Sequence, residues 1–353
     1  MHSFIDLDRT FGGQPRELGA ILARIDTGRG RERLFEDQRP ELLTRLTHDA
    51  RIESITASNA IEGVVVDGAR AERIADSAPG LRNRNEKEFA GYRDAIDVLM
   101  RTDSHEPLTV PLLLHLHRLL FHHSGGRGGH LKTDDNLIVS DESGRREIVF
   151  RPPGPDETEF LLPELLARYE EAKRTGDTHP LVLICALILD LLAIHPVADG
   201  NGRLARLTTT HEMLAGGYGV ARYISIEQRI YESRNSYYAA LYESQRGWRE
   251  RQHTIWPWTM YLARVVADAY DDFEQRVAAA AEPTGSKQER VRDYILREAP
   301  TTFSRRQIER AFPRISRATI RLVLNELRDD GRIEVEGAGP GARWRVTPPS
   351  TKR

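Results

Sequence analysis

Apolar residues recur at helical spacing through most of the chain. Between Pro40 and Ala60, Leu42, Leu43, Leu46, Ile52 and Ile55 mark one helix face, and Pro40 is placed to open that helix. Amphipathic helices are likewise predicted at Glu86–Met100 and Thr109–His122, the second with Pro111 in its first turn and Ser124-Gly125-Gly126 closing it. Further helices read at Glu159–Thr175, Pro180–Ile194, Arg203–Ala215, Glu227–Ser244 and Ile255–Ala281. One stretch breaks the pattern. Asn136–Ser140 and Glu147–Phe150 flank turn residues Asp141–Gly144 and stop at Pro152-Pro153, the signature of a β-hairpin. Residues 1–38, polar and carrying Gly12-Gly13, Gly28 and Gly30, read as a loosely ordered lead-in.

The last stretch has its own organisation. Ala281–Ser286, with Pro283 and Gly285, is the best linker in the chain. Beyond it Lys287–Arg297 is a helix, Ser304 caps a second running to Ala311, and Ser316 caps a third ending near Asp329. Strands Arg332–Glu336 and Ala342–Val346 then surround the turn Gly337–Gly341. Three helices and a two-strand wing resemble a winged helix-turn-helix domain over residues 286–347. The fold class expected for the whole is mainly α, a helical body with one protruding hairpin and this small C-terminal domain.

Charge sharpens the division. The 353 residues carry a net charge of −2, yet from Ser286 onward sixteen Lys and Arg face nine Asp and Glu. A mildly acidic body joined to a basic tail implies partners of two kinds, with DNA or a protein as the partner of the tail. Apolar residues at 39% and charged residues at 29% suit a globular protein with a sizeable core. A single cysteine, Cys185, rules out an internal disulfide and disfavours a Cys-based zinc site; in its apolar helix it reads as inert core. The N-terminus lacks a signal-peptide pattern, and the longest apolar stretch, Leu181–Ile194, is interrupted by Asp190 and falls short of the roughly 20 residues that span a bilayer. The expectation is a cytoplasmic protein without a membrane partner, for which a homodimer remains an open state. Five histidines, His115, His117, His122, His123 and His130, lack metal-ligand spacing and read as surface or loop residues.

Chemistry concentrates in His195-Pro196-Val197-Ala198-Asp199-Gly200-Asn201-Gly202-Arg203-Leu204-Ala205-Arg206. A histidine, an aspartate and two arginines emerge directly from a nearly all-apolar helix. Gly-Asn-Gly lets the backbone aim successive N–H groups at one spot, and the next helix adds its positive dipole end, which suits phosphate. Arg203 and Arg206, three apart, share a helix face as phosphate clamps. Asp199 suits Mg²⁺, which takes few carboxylates and keeps substrate phosphates as ligands. His195 has the ordinary pKa of a general base near neutrality. The rival phosphate motif, Gly126–Thr133, fails as a P-loop because Leu131 stands where glycine is needed.

His-x-x-x-Asp-Gly-Asn-Gly-Arg-x-x-Arg resembles the signature of the Fic domain family. These are mostly helical proteins that usually transfer the AMP moiety of ATP to a hydroxyl side chain of a target protein. The resemblance covers roughly residues 40–275 and implies ATP and Mg²⁺ as substrate and cofactor. It implies His195 as the base, Asp199 as the Mg²⁺ ligand, Gly200, Asn201 and Gly202 as the anion nest, and Arg203 and Arg206 as phosphate contacts. Val197 stands where the family usually has phenylalanine, so looser anchoring of the loop is expected. The hairpin looks like the family's flap, with Asn136, Leu137, Ile138 and Val139 against the nucleotide and the target added as a strand. Tyr237 and Tyr238 resemble a tyrosine pair near the adenine, with helix packing as the equal alternative, and Gln245 falls within reach of the nucleotide.

Upstream, Ser58-Asn59-Ala60-Ile61-Glu62-Gly63 fits the family's inhibitory pattern, whose glutamate pairs with the second signature arginine, here Arg206. Without the signature it would read only as a helix end capped by Gly63. The domain expectation is a lead-in at 1–38, an N-terminal helical region with the inhibitory helix at 39–105, a catalytic domain at 106–281 and the winged helix at 286–347. The functional expectation is a protein adenylyltransferase held down by Glu62, with a target protein, or the chain itself, as acceptor. Alternatives are another phosphotransfer on the same scaffold, removal of AMP with Glu62 positioning water, and a nucleotide-sensing DNA-binding regulator. His195 and Asp199 speak against an inert sensor, because binding alone needs no base.

Overall fold

In a computed structural model of the chain the described residues are 2–38, 40–77, 80–101, 106–142, 145–280, 286–313, 315–337 and 342–347. The chain is mainly helical and divides into two compact units, residues 1–33 with 46–274, and residues 34–45 with 275–353.

The N-terminus is helical, not loosely ordered. After a short turn at His2–Phe4 come α1 (Leu7–Phe11) and α2 (Arg16–Gln38). On α2, Leu18, Ile21, Leu22 and Ile25 are buried, a spacing that defines one helical face. One of the glycines that suggested disorder has another cause. A Cβ on Gly28 would meet the Tyr270 ring, so glycine there allows close packing. Next come α3 (Pro40–Ile61), α4 (Gly68–Asp76), α5 (Arg84–Met100) and α6 (Val110–Phe121). The Asn83 and Thr109 side chains cap α5 and α6 by accepting from Glu86 N–H and Leu112 N–H. The short α4 buries only Ala71, Ile74 and Ala75, too little apolar signal to stand out in the sequence.

The hairpin pairs β1 (Ile138–Glu142) with β2 (Arg145–Phe150) antiparallel, Val139 opposite Ile148, with an irregularity after Ile138. Turn residues 143–144 lie outside the described residues. Then α7 (Pro155–Thr175) and α8 (Pro180–Ile194) pack together, and α8 also packs on α9 (Asn201–Ala215). Every residue of α8 from Leu181 to Ile194 is buried, so this helix is the centre of the first unit. Its one charged residue, Asp190, accepts from Ser3 N–H at 3.0 Å, Ser3 Oγ at 2.8 Å and Trp248 Nε1 at 2.7 Å. Burial pushes the Cys185 thiol up, which suits inert core.

The helix predicted at Glu227–Ser244 is two. After α10 (Val220–Tyr223), α11 (Ile226–Glu232) stops and α12 (Arg234–Gln245) starts at Ser233, whose Oγ donates to Arg229 O at 2.7 Å. A serine hydroxyl that bonds back to the preceding turn competes with the helix backbone. The long α13 (Trp256–Ala279) follows. Among the described residues no helix is long and apolar enough to cross a membrane.

In the second unit α14 (Lys287–Arg297), β3 (Thr302–Ser304), α15 (Arg305–Ala311), α16 (Arg317–Asp329), β4 (Ile333–Glu336) and β5 (Arg343–Val346) follow in order. Ser286, Ser304 and Ser316 each cap the helix they precede. The sheet has three strands in the order β3-β5-β4, one more than the sequence suggested, because three-residue β3 is too short to show a period. Phe303 of β3 is buried with Val291, Ile308, Val323 and Leu327 in this unit's core, while Arg317 and Arg321 are exposed on α16. Most of the expected linker (281–285) and of the expected turn (338–341) lies outside the described residues.

Helices α5 and α6 approach so closely that a Cβ on Gly91 would meet Leu120 O. Gly91→Ala should therefore lower stability by about 1–3 kcal/mol despite alanine's better helix propensity. Thermal unfolding checks this, and an unchanged melting temperature would show that the helices can part at no cost.

Candidate active site

The buried helix α8 ends by force of backbone geometry. His195 is its C-cap, with φ 52 and ψ 61, a left-handed conformation that a non-glycine residue adopts only under constraint. Its N–H still donates to Leu191 O at 3.0 Å, and Nδ1 lies 3.3 Å from Leu192 O. A carbonyl can only accept, so Nδ1 carries the proton and Nε2 keeps its lone pair. Burial lowers the imidazole pKa to about 4, which leaves it neutral near pH 7. A neutral imidazole with a bare Nε2 is competent to take a proton.

The loop after His195 is anchored firmly, contrary to what Val197 suggested. Val197 is fully buried. Asn201 Oδ1 accepts from Val197 N–H at 3.0 Å, and Asn201 Nδ2 donates to Val197 O at 2.7 Å. Asn136 Nδ2 reaches Val197 O at 3.1 Å and His195 O at 3.4 Å, so its amide serves the loop's backbone. Asp199 is exposed, and its Oδ1 accepts from Gly200 N–H at 2.7 Å. Gly200 is left-handed, with φ 82, and is the N-cap of α9.

Sequence reasoning missed two supports. His117 is buried, not a surface or loop residue. Its Nε2 donates to Asp199 O at 3.1 Å and its Nδ1 accepts from Gly129 N–H at 3.0 Å. His115, His122 and His130 are exposed, and His123 Nε2 lies 2.6 Å from Asp94. Glu88 of α5 pairs with Arg203 at 2.8 Å, and Arg84 and Arg203 hold its carboxyl below the usual range although burial opposes them. Helix period alone marks His117 and Glu88 as inward-facing; only the signature's position tells what they face.

The two signature arginines are both buried and both paired. Arg203 Nη1 binds Glu88, its guanidinium lies 5.3 Å from the Phe121 ring centre, and its Nε has no hydrogen-bond partner among the described residues. Arg206 is held more completely. Its Nε donates to Ser58 Oγ at 2.8 Å, and its Nη2 donates to Ser58 O at 3.0 Å and Glu62 Oε1 at 2.7 Å. Burial works against this charge, but the Glu62 carboxylate raises the guanidinium pKa above its ordinary value. Glu62 stands at the end of α3, where Gly63 with φ 76 turns the chain. A Cβ on Gly202 would meet Glu62 Oε1, so this carboxylate lies against the first turn of α9. The free N–H groups of a helix start attract anions, and here an anion is already in place.

The remaining candidates sit at graded distances from this centre. Tyr237 is buried with Trp258 and Tyr261; burial raises its pKa and Arg206 opposes, which sets it beside the guanidinium. Tyr238 is half exposed, its ring 5.1 Å from that of Tyr237. Leu137 is exposed, Ile138 is partly buried, and Val139 is described only as β1 backbone. Gln245 is buried at the end of α12, and among the described residues no hydrogen bond ties its side chain to the loop. The donor set fits a nucleotide with Mg²⁺. It offers one exposed carboxylate, an unpartnered buried guanidinium Nε and a helix start already occupied by a carboxylate.

Comparison with known proteins agrees with the fold. The Fic/DOC family profile matches residues 107–213. The chain is 24% identical over 261 residues to "Protein adenylyltransferase Fic" of Nematostella vectensis, an alignment covering 72% of this chain and 55% of that protein. It is 26% identical over 185 residues to the protein of the same name from Culex quinquefasciatus, covering 50% of this chain and 34% of that one. The chain thus spans about half or less of the length of these curated relatives. Among solved structures, a Fic family protein from Desulfovibrio desulfuricans G20 superposes with TM-score 0.63 at 22% identity, covering 96% of this chain and 98% of that one. A Fic domain containing signaling protein from Bacteroides thetaiotaomicron VPI-5482 gives TM-score 0.61 at 19% identity, covering 72% and 98%. With the signature loop and its helical frame lying inside the matched stretch, residues 107–213 form a Fic-type domain.

Proposed function

We propose that the chain is a protein adenylyltransferase held inactive by its own Glu62. The observation that carries this is the place of the Glu62 carboxylate, on Arg206 and against the first turn of α9 at once. Both are groups that would hold the terminal phosphates of ATP. In the reaction a target hydroxyl oxygen attacks the α-phosphorus, its proton passes to His195 Nε2, and the bond to the β-phosphate oxygen breaks to release pyrophosphate. Mg²⁺ held by Asp199 would neutralise phosphate charge. Arg203 and Arg206 would orient the phosphates so that the α-phosphorus lies in line with the hydroxyl. The relatives from Nematostella vectensis and Culex quinquefasciatus, both named protein adenylyltransferases, support this assignment.

Glu62 Oε1 occupies Arg206 Nη2, so Glu62 and a phosphate would compete for that donor. Glu62→Gly should raise transfer from α-labelled ATP about 100-fold, in keeping with the cost of misplacing a reactant by about 1 Å. Arg206→Ala should be inactive even when combined with Glu62→Gly. Label retained from the γ-phosphate instead would make the enzyme a kinase, and an unchanged rate in Glu62→Gly would remove the inhibitory role.

The His195 base should remain neutral well below its ordinary pKa. Because burial lowers its pKa to about 4, its ring carbon-bound proton should titrate by NMR near pH 4. A midpoint near 6.5 would mean that the imidazole is solvated, and that the base is half protonated near neutral pH.

A further inference from the structure

The glycine-rich stretch Gly126–Thr133, useless as a P-loop, ends in a group with a different task. Lys132 is 4% exposed. Its Nζ donates to Ile194 O at 3.1 Å and to Asn136 Oδ1 at 3.0 Å, and its backbone N–H donates to Pro196 O at 2.9 Å. Anchored in this way, the Asn136 amide presents Nδ2 to His195 O and Val197 O. The carbonyls of four consecutive residues, 194 to 197, are therefore held by one lysine and one asparagine. They bracket the left-handed residue His195, a conformation that persists only where its surroundings over-determine it.

We infer that Lys132 is the positioning residue for His195: directly and through Asn136 it fixes the turn that aims the imidazole into the site. This rests on the reading of His195 as the base. Among the described residues the Lys132 hydrogen bonds end on neutral oxygens, with Asp135 and Glu157 acting only through space, and a buried ammonium without a bonded carboxylate is a poor device for stability alone. Its charge also adds to burial in keeping the imidazole neutral. Because Asn136 immediately precedes the hairpin region, the same brace links the segment leading into β1 to the base.

The test uses the full chain in the Glu62→Gly background, with Lys132→Met to remove the ammonium and Lys132→Arg to keep donors. Lys132→Met should lower kcat about 100-fold while KM for ATP changes less than about threefold, the pattern of a misaimed group and not of lost nucleotide binding. Lys132→Arg should recover most of kcat. The amide and Cα NMR signals of His195 should move in Lys132→Met. An unchanged kcat, or a rise in KM alone, would overturn the inference. If Glu62→Gly itself transfers no label, the adenylylation reading fails separately. The NMR arm in the wild-type background then decides: moved His195 signals sustain the brace and unmoved ones overturn it. Should Lys132→Met unfold, Asn136→Ala must show the same kcat loss, and an unchanged kcat there overturns the inference.

Discussion

A buried guanidinium must have an anion. Arg206 is 3% exposed and cannot lose its proton, so its charge is tolerable only when paired and hydrogen-bonded. Ser58 supplies two neutral oxygens, and Glu62 supplies the negative charge. The Glu62 side chain is 34% exposed, so the anion lies at the open end of the pair while the cation lies at the closed end. That asymmetry makes the carboxylate the exchangeable partner. A phosphate arriving from solvent can replace it, whereas Arg206 has nowhere to go. The proposed inhibition thus follows from a requirement of the folded state, and the same requirement would favour nucleotide once Glu62 is withdrawn.

The scaffold around this pair keeps the other groups from moving. Helix α8 is buried along its whole length, so the chain leaves it at a fixed point, and His195 turns there under the hold of Lys132 and Asn136. Asn201 ties the loop back to Val197, and His117 ties Asp199 to the stretch at Gly129. Each tie uses a side-chain amide, imidazole or ammonium on backbone carbonyls and N–H groups, which satisfies polar groups that an irregular buried loop would leave orphaned. With the loop tied at both ends, the proposed competition for Arg206 would be settled by charge and not by loop rearrangement.

The sequence made the signature, the long apolar helix and the Ser58–Gly63 pattern legible because each is contiguous. Pro180–Ile194 and Lys287–Arg297 could be placed to the residue, since proline, serine and apolar runs mark helix ends plainly. What stayed hidden depends on distant contacts. Gly28 looked like a breaker until Tyr270 was found against it, and what His117 holds shows only in the bond from its Nε2 to Asp199 O. Val197 suggested a loose loop because a smaller side chain packs less. The anchoring comes from its backbone, which a residue's identity does not report. The break in a predicted helix at Ser233, where the backbone leaves helical angles, is invisible to hydrophobic period.

The central claim is that Glu62 and the terminal phosphate of ATP are rivals for one guanidinium. Crystal structures of the wild-type chain and of Glu62→Gly, each soaked with ATP and Mg²⁺, test it most directly. The account predicts that in Glu62→Gly an oxygen of the terminal phosphate lies within hydrogen-bond distance, roughly 2.7–2.9 Å, of the Arg206 guanidinium. In the wild type Glu62 should keep that place, with the phosphates displaced from it. A wild-type structure in which Arg206 holds phosphate while still paired with Glu62, or a Glu62→Gly structure in which Arg206 ignores the nucleotide, would contradict the account.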